Sequence, residues 1–112
     1  MKGKKLLFLN DDPDLQELYE FLFDLYKWDY EIISSEKELS YFSPNEILFI
    51  DSNNIDFLSS VMRSIQPFSK IIVSTVSPFD KIIEESFPYS KRLVKPFTVK
   101  TLRNTLFQVG HS

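Results

Sequence analysis

Four short apolar runs in this 112-residue chain lead directly into residues that carry charge or a hydroxyl. Asn10, Asp11 and Asp12 follow Leu6-Leu7-Phe8-Leu9, and Asp51 follows Ile47-Leu48-Phe49-Ile50. Ser74 and Thr75 follow Ile71-Ile72-Val73, and Lys95-Pro96 follows Leu93-Val94. Gathered in one place, these residues make a pocket of two or three carboxylates, a hydroxyl and an ammonium. Two carboxylates about 4 Å apart repel by roughly 4 kcal/mol at an effective dielectric of about 20, so such a pocket needs a cation. Lys95 is one source. A divalent ion is the other, since hard cations such as Mg²⁺ are held by one or two carboxylates together with water and phosphate oxygens.

The composition removes competing chemistries. With no cysteine, the chain has no disulfide framework, thiolate zinc site, iron–sulfur cluster or cysteine nucleophile. The single histidine, His111, stands beside the C-terminal residue and reads as a solvated tail position, which leaves histidine metal sites and Ser-His-Asp chemistry without material. Gly3 and Gly110 are the only glycines and lie near the ends, so no glycine-rich loop can wrap a nucleotide phosphate. A net charge of −3 gives no excess positive field for direct binding to nucleic acid.

The elements that must position these residues alternate along the chain. Residues 5–9, 30–33, 47–50, 71–73 and 93–94 read as buried strands. Asp12-Pro13 gives an N-cap and a proline at the first helical position, and Leu15, Leu18, Leu22 and Leu25 then recur at helical spacing in a helix ending near Lys27. On this reading Phe23 lies to one side of the leucine stripe and packs laterally against the core. A short helix is expected over 36–42 and another through Ile55, Leu58, Met62 and Ile65; Ser77-Pro78 repeats the cap-and-proline signal, and Thr98 caps a last helix through Val99, Leu102, Leu106 and Val109. Five strands and five helices in alternation predict parallel strands with helices on both faces, a three-layer α/β/α sandwich. Ligands of such sheets sit beyond the carboxyl ends of the strands, where the charged residues fall.

With 43% hydrophobic residues the chain can bury a core. Its apolar runs are too short for a signal or membrane segment, and no linker or repeat divides it. The expectation is one cytoplasmic domain over 1–112 with no membrane partner.

In that order, Leu-Phe-Leu-Asn-Asp-Asp-Pro-Asp-Leu, Ile-Leu-Phe-Ile-Asp, Ile-Ile-Val-Ser-Thr and Leu-Val-Lys-Pro-Phe resemble the four signature blocks of the receiver domain of two-component response regulators. The resemblance covers the whole chain and implies a flavodoxin-like sheet of order 2-1-3-4-5. It implies that Asp51 accepts a phosphoryl group from a histidine kinase or phosphotransfer protein, and that Asp11, Asp51 and the backbone carbonyl of Asn53 hold Mg²⁺, with outer contributions from Asn10 and Asp12. Thr75 matches the hydroxyl that bonds the phosphoryl oxygens, with Ser74 as the weaker match. Lys95 matches the ammonium that pairs with those oxygens, and Pro96 a proline usually preceded by a cis peptide bond.

Departures from the pattern bear on output. Asn10 replaces an acid that contacts the ion through water, Val76 stands where alanine or glycine is usual, and Arg92 replaces a switch tyrosine or phenylalanine. The stretch from Asp51 to Thr75 is short and lacks the usual Pro-Gly loop. Chain length leaves no room for an output domain, so the expectation is signalling through a target protein, as a monomer or weak homodimer. The alternative is a degenerate receiver that serves as a phosphorylation-independent interaction module. An aspartyl phosphatase would want a second acid at the position of Asn53.

Overall fold

A computed structural model describes residues 5–61, 65, 68–76, 80–86 and 90–110. Strands β1 (Leu6–Asn10), β2 (Tyr30–Ile33), β3 (Ile47–Asp51), β4 (Lys70–Val76) and β5 (Lys91–Lys95) pair in parallel in the order β2-β1-β3-β4-β5. Between and after them run α1 (Pro13–Leu25), a 3-10 helix (Glu36–Tyr41), α2 (Ile55–Val61), α3 (Asp80–Ser86) and α4 (Val99–Gly110), five helices among the described residues. The flavodoxin-like order is that of the expectation. β3 is buried along its whole length because helices cover both faces of the sheet, which is why it reads as an unbroken apolar run.

Alternation along the strands divides the core in two. Leu6, Phe8, Ile47, Phe49, Ile72 and Leu93 face α1 and α4, against Tyr19, Leu22, Phe23, Leu102, Leu106 and Val109. Leu7, Leu9, Leu48, Ile50 and Val73 face the other way, against Leu39 of the 3-10 helix, Leu58 and Val61 of α2, and Ile83 of α3. No helix among the described residues is long and apolar enough to cross a membrane.

Several local expectations change. The buried face of α1 is Tyr19, Leu22 and Phe23, with Leu15 half-buried, whereas Leu18 and Leu25 are 54% and 57% exposed. Phe23 is fully buried at the centre of that face, because its ring completes the packing around Phe8. The second helix is a 3-10 turn rather than an α-helix. A capping box between Ser35 and Glu38 starts it, and Phe42 is already extended, so six residues close on i to i+3 bonds. Ile65 is buried but lies in a turn, with the Phe68 N–H donating to its carbonyl at 2.9 Å. Met62, the Ser77-Pro78 signal and His111 lie outside the described residues.

α1 ends in a turn the sequence does not advertise. Lys27 adopts φ 59°, the Trp28 N–H donates to the Phe23 carbonyl at 2.9 Å, and the Lys27 N–H donates to the Asp24 carbonyl at 3.1 Å. This is a Schellman closure with a lysine where glycine is usual.

Candidate functional site

The strands run further than the apolar runs alone suggest, so Asn10, Asp51, Thr75 and Lys95 belong to the ladders themselves. Asp51 is the last residue of the central strand, directly opposite Asn10 on β1 and Ser74 on β4. It is 1% exposed. Lys95, at the end of β5, donates from Nζ to Asp51 Oδ1 at 2.5 Å and to Asn53 Oδ1 at 3.3 Å. Tyr19, two turns into α1, donates its hydroxyl to Asp51 Oδ2 at 2.5 Å. Both oxygens of the buried carboxylate are therefore held by protein donors, one of them cationic. Charge-assisted bonds of this kind are about twice as strong as neutral ones and offset the cost of burying the charge.

The acidic turn after β1 is organised by its own side chains. Asp12 is the N-cap of α1, accepting the backbone N–H groups of Asp14 and Leu15 as the Asp-Pro signal predicts. The Asp12 N–H in turn donates to Asn10 Oδ1 at 2.9 Å, so Asn10 serves this turn. Asp11 is exposed, and its Oδ2 accepts the Ser52 hydroxyl at 2.8 Å. Ser52 is buried and its Oγ also accepts the Asn54 N–H at 2.9 Å, tying the turn after β3 to the turn after β1. Asn54 caps α2 through Oδ1, which accepts the Asp56 and Phe57 N–H groups.

Asp11, Asp12, Asp51, Asn53, Asn54 and Lys95 line an open cleft of about 310 Å³. Thr75 is not part of its lining. Thr75 stands one residue out of phase with Ser74, and its Oγ1 is buried without a hydrogen-bond partner; Ser74 shares the Asp51 face of the sheet, and its Oγ is buried beside Tyr19. Val76 lies opposite Lys95 in the β4–β5 register and is half-buried. Arg92 pairs with Glu84 of α3 at 3.3 Å, so the position where an aromatic switch is usual carries an ion pair from β5 to α3. The Lys95-Pro96 peptide bond is cis.

Sequence reasoning missed two residues, Tyr19 and Ser52. Tyr19 had a signal, since it lies four residues after Leu15 and three before Leu22, on the face of α1 that meets the sheet. Its phenol ionises far above the ordinary tyrosine range, first because it is buried and then because the Asp51 carboxylate beside it opposes a second negative charge. The expected role of Asn53 widens as well, because its side chain, not only its backbone, reaches Lys95.

The groups around the cleft able to ligate a metal are oxygens, from the carboxylates of Asp11, Asp12 and Asp51 and from Asn53, and no three His, Cys, Asp or Glu among the described residues are arranged to hold a metal ion by themselves. This set fits a hard cation that keeps most of its water, as Mg²⁺ does, and not zinc or another soft metal.

No family model and no curated protein matches the chain. Solved structures do. The receiver domain of the sensor histidine kinase PA1611 of Pseudomonas aeruginosa, solved with magnesium in its active-site cleft, superposes with a TM-score of 0.71 at 17% identity, covering 98% of this chain and 99% of that one. The chemotaxis response regulator CheY4 of Vibrio cholerae gives 0.68 at 23% identity, covering 95% and 98%. A CheY-like response regulator of Mesorhizobium loti gives 0.68 at 16% identity, covering 96% and 99%. With the strand order, the site at the strand ends and this full-length likeness together, the chain has the fold of CheY-like receiver domains.

Proposed function

We propose that the chain is a single cytoplasmic receiver domain that accepts a phosphoryl group on Asp51 and transmits its state by binding another protein. The observation that carries this reading is Asp51 itself, a buried carboxylate at the end of the central strand, bonded to Lys95 Nζ at 2.5 Å and opening on an acidic cleft. A carboxylate oxygen of Asp51 forms a bond to phosphorus as the phosphorus–nitrogen bond of a phosphohistidine breaks in line with it, and the imidazole leaves with the electron pair. Catalysis of that step is positioning and charge neutralisation. Lys95 moves from pairing with the carboxylate to pairing with the phosphoryl oxygens, and the hydroxyl comes from Ser74, the weaker match in sequence, because it stands in register with Asp51 on the same face of the sheet whereas Thr75 faces the other way. Asp11, Asp51 and the carbonyl of Asn53 would hold Mg²⁺, with Asn10 and Asp12 acting through water. Bound there, the ion supplies charge neutralisation at the transferring group.

The donor is a histidine kinase or phosphotransfer protein, and the receiver of the signal is a target protein. The experiment is labelling by a cognate kinase or by phosphoramidate with Mg²⁺, with Asp51→Asn as control. Labelling that is lost in the variant supports the assignment, and equal labelling in both proteins overturns it.

The second reading, a receiver that no longer cycles phosphate and acts only as an interaction module, is favoured by one observation. Both oxygens of Asp51 are already occupied, by Lys95 and Tyr19. A chain that neither labels nor gains stability from millimolar Mg²⁺ is this module.

A further inference from the structure

Tyr19 is 4% exposed, and its ring is fixed by neighbours on three sides, with centroids 4.8 Å from Phe8, 5.3 Å from Phe49 and 5.9 Å from Phe23. Its hydroxyl therefore has a defined direction, and it points at Asp51 Oδ2. Lys95 occupies Oδ1. A carboxylate oxygen that accepts a short bond from a phenol gives up lone-pair density. That density is what attacks phosphorus or binds a cation.

We propose that Tyr19 is a latch on Asp51, whose hydroxyl holds Oδ2 in the resting protein and withholds it from phosphoryl donors and divalent cations until the O–H bond rotates off it, the ring staying in place. For phosphoryl donors the latch rests on the phosphoacceptor reading; for cations it rests on the hydrogen bond alone. When the latch opens, Oδ2 forms the oxygen–phosphorus bond, the donor's phosphorus–nitrogen bond breaks, and the leaving nitrogen takes its proton from solvent. The phenolic proton stays on Tyr19. An acceptor for it is at hand in the buried hydroxyl of Ser74, which stands in register with Asp51 and within hydrogen-bonding reach of Tyr19.

A merely structural hydroxyl would have the opposite signature, since its loss would loosen Asp51 and speed nothing. Tyr19→Phe keeps the ring and deletes the hydroxyl. Wild type, Tyr19→Phe and Asp51→Asn are compared for initial labelling rate with phosphoramidate and Mg²⁺, and for Mg²⁺ affinity by Trp28 fluorescence without any donor. Removing one hydrogen bond to a charged acceptor predicts labelling about tenfold faster and Mg²⁺ binding tighter by a similar factor in Tyr19→Phe. A hydroxyl proton resonance that is shifted downfield in wild type, and absent in both variants, identifies the bond directly. Unchanged or weaker Mg²⁺ binding overturns the latch, as does labelling no faster than wild type in proteins that label through Asp51. Absence of labelling in both wild type and Tyr19→Phe removes the phosphoacceptor reading, and the Mg²⁺ comparison then decides the latch by itself. Thermal melting checks that Tyr19→Phe is folded, and Tyr19→Leu, which also lacks the hydroxyl, replaces it if it is not.

Discussion

Asn10 and Asp51 face each other across β1 and β3, yet only Asp51 turns to the cation. Asn10 gives its Oδ1 to the Asp12 N–H, so the amide steadies the acidic turn without adding charge to it. Restoring an acid should reverse that bargain between stability and ion binding. Asn10→Asp adds a fourth carboxylate beside Asp11, Asp12 and Asp51, and each neighbour about 4 Å away costs roughly 4 kcal/mol at most before screening. The expected outcome is a lower melting temperature in chelator and a larger rise on adding Mg²⁺ than wild type shows, measured by thermal melts across an Mg²⁺ series.

Among the described residues, Lys95 is the one cation paired with Asp51. Its side chain is 16% exposed and that of Asp51 only 1%. Lys95→Ala leaves the carboxylate with the phenol alone. Breaking a buried pair from one side costs roughly 3–5 kcal/mol, and the residual exposure of Lys95 puts the expected loss at the lower end, about 3 kcal/mol by urea unfolding.

Alkaline stability should report Tyr19. Its folded pKa is raised above the unfolded value of 10.0, so its contribution is fully present below that pH and is lost as pH climbs toward the folded pKa. Over that window one such group changes stability by about 1.4 kcal/mol per pH unit. Tyr30 is also raised, by burial and by Asp24, so Tyr19→Phe should remove part of the alkaline slope and not all of it. Stability measured from neutral pH to above pH 10 in both proteins checks the difference.

The two faces of α1 differ in what they carry. Phe23 is fully buried against Phe8 and Phe49, so Phe23→Ala should cost roughly 3–5 kcal/mol. Leu18→Ala and Leu25→Ala, on the exposed side, should each stay within about 0.5 kcal/mol of wild type. Denaturant midpoints for the three variants separate these outcomes.

The turn after α1 offers a gain. Lys27 holds a left-handed conformation at φ 59°, which costs a side-chain-bearing residue about 1 kcal/mol relative to glycine. Lys27→Gly should raise stability by about 0.5–1 kcal/mol, with unchanged Mg²⁺ response, because the turn lies at the other end of α1 from the cleft.

What the sequence disclosed follows from how directly each feature is written in it. Continuous apolar runs such as Ile47 to Ile50 are written locally, and so the five strands and their alternation with helices were legible. Asp12-Pro13 is an equally local signal, and the helix starts where it says. The face of α1 was not legible, because Leu15, Leu18, Leu22 and Leu25 satisfy the helical period as well as Leu15, Tyr19, Leu22 and Phe23 do. Only the sheet, supplying Phe8 and Phe49 as partners, chooses between them. The same choice hid Tyr19 from the site, since its role depends on a contact with Asp51 across 32 positions of chain. Ser52 was hidden for a similar reason, its partner Asp11 being 41 positions away.

The ring of Tyr19 touches Phe8, Phe23 and Phe49, and Phe23 continues the contact to Tyr30 on the edge strand. One end of this aromatic chain is bonded to the carboxylate on which the proposed chemistry falls, and the other reaches the edge strand two strands away on the same face of the sheet. An event that changes the charge or the bonding of Asp51 alters the field around a ring whose neighbours form an asymmetric array. The molecule thereby carries an intrinsic optical gauge, since near-ultraviolet circular dichroism arises from such arrays. The occupancy of its cleft can be followed in unlabelled protein.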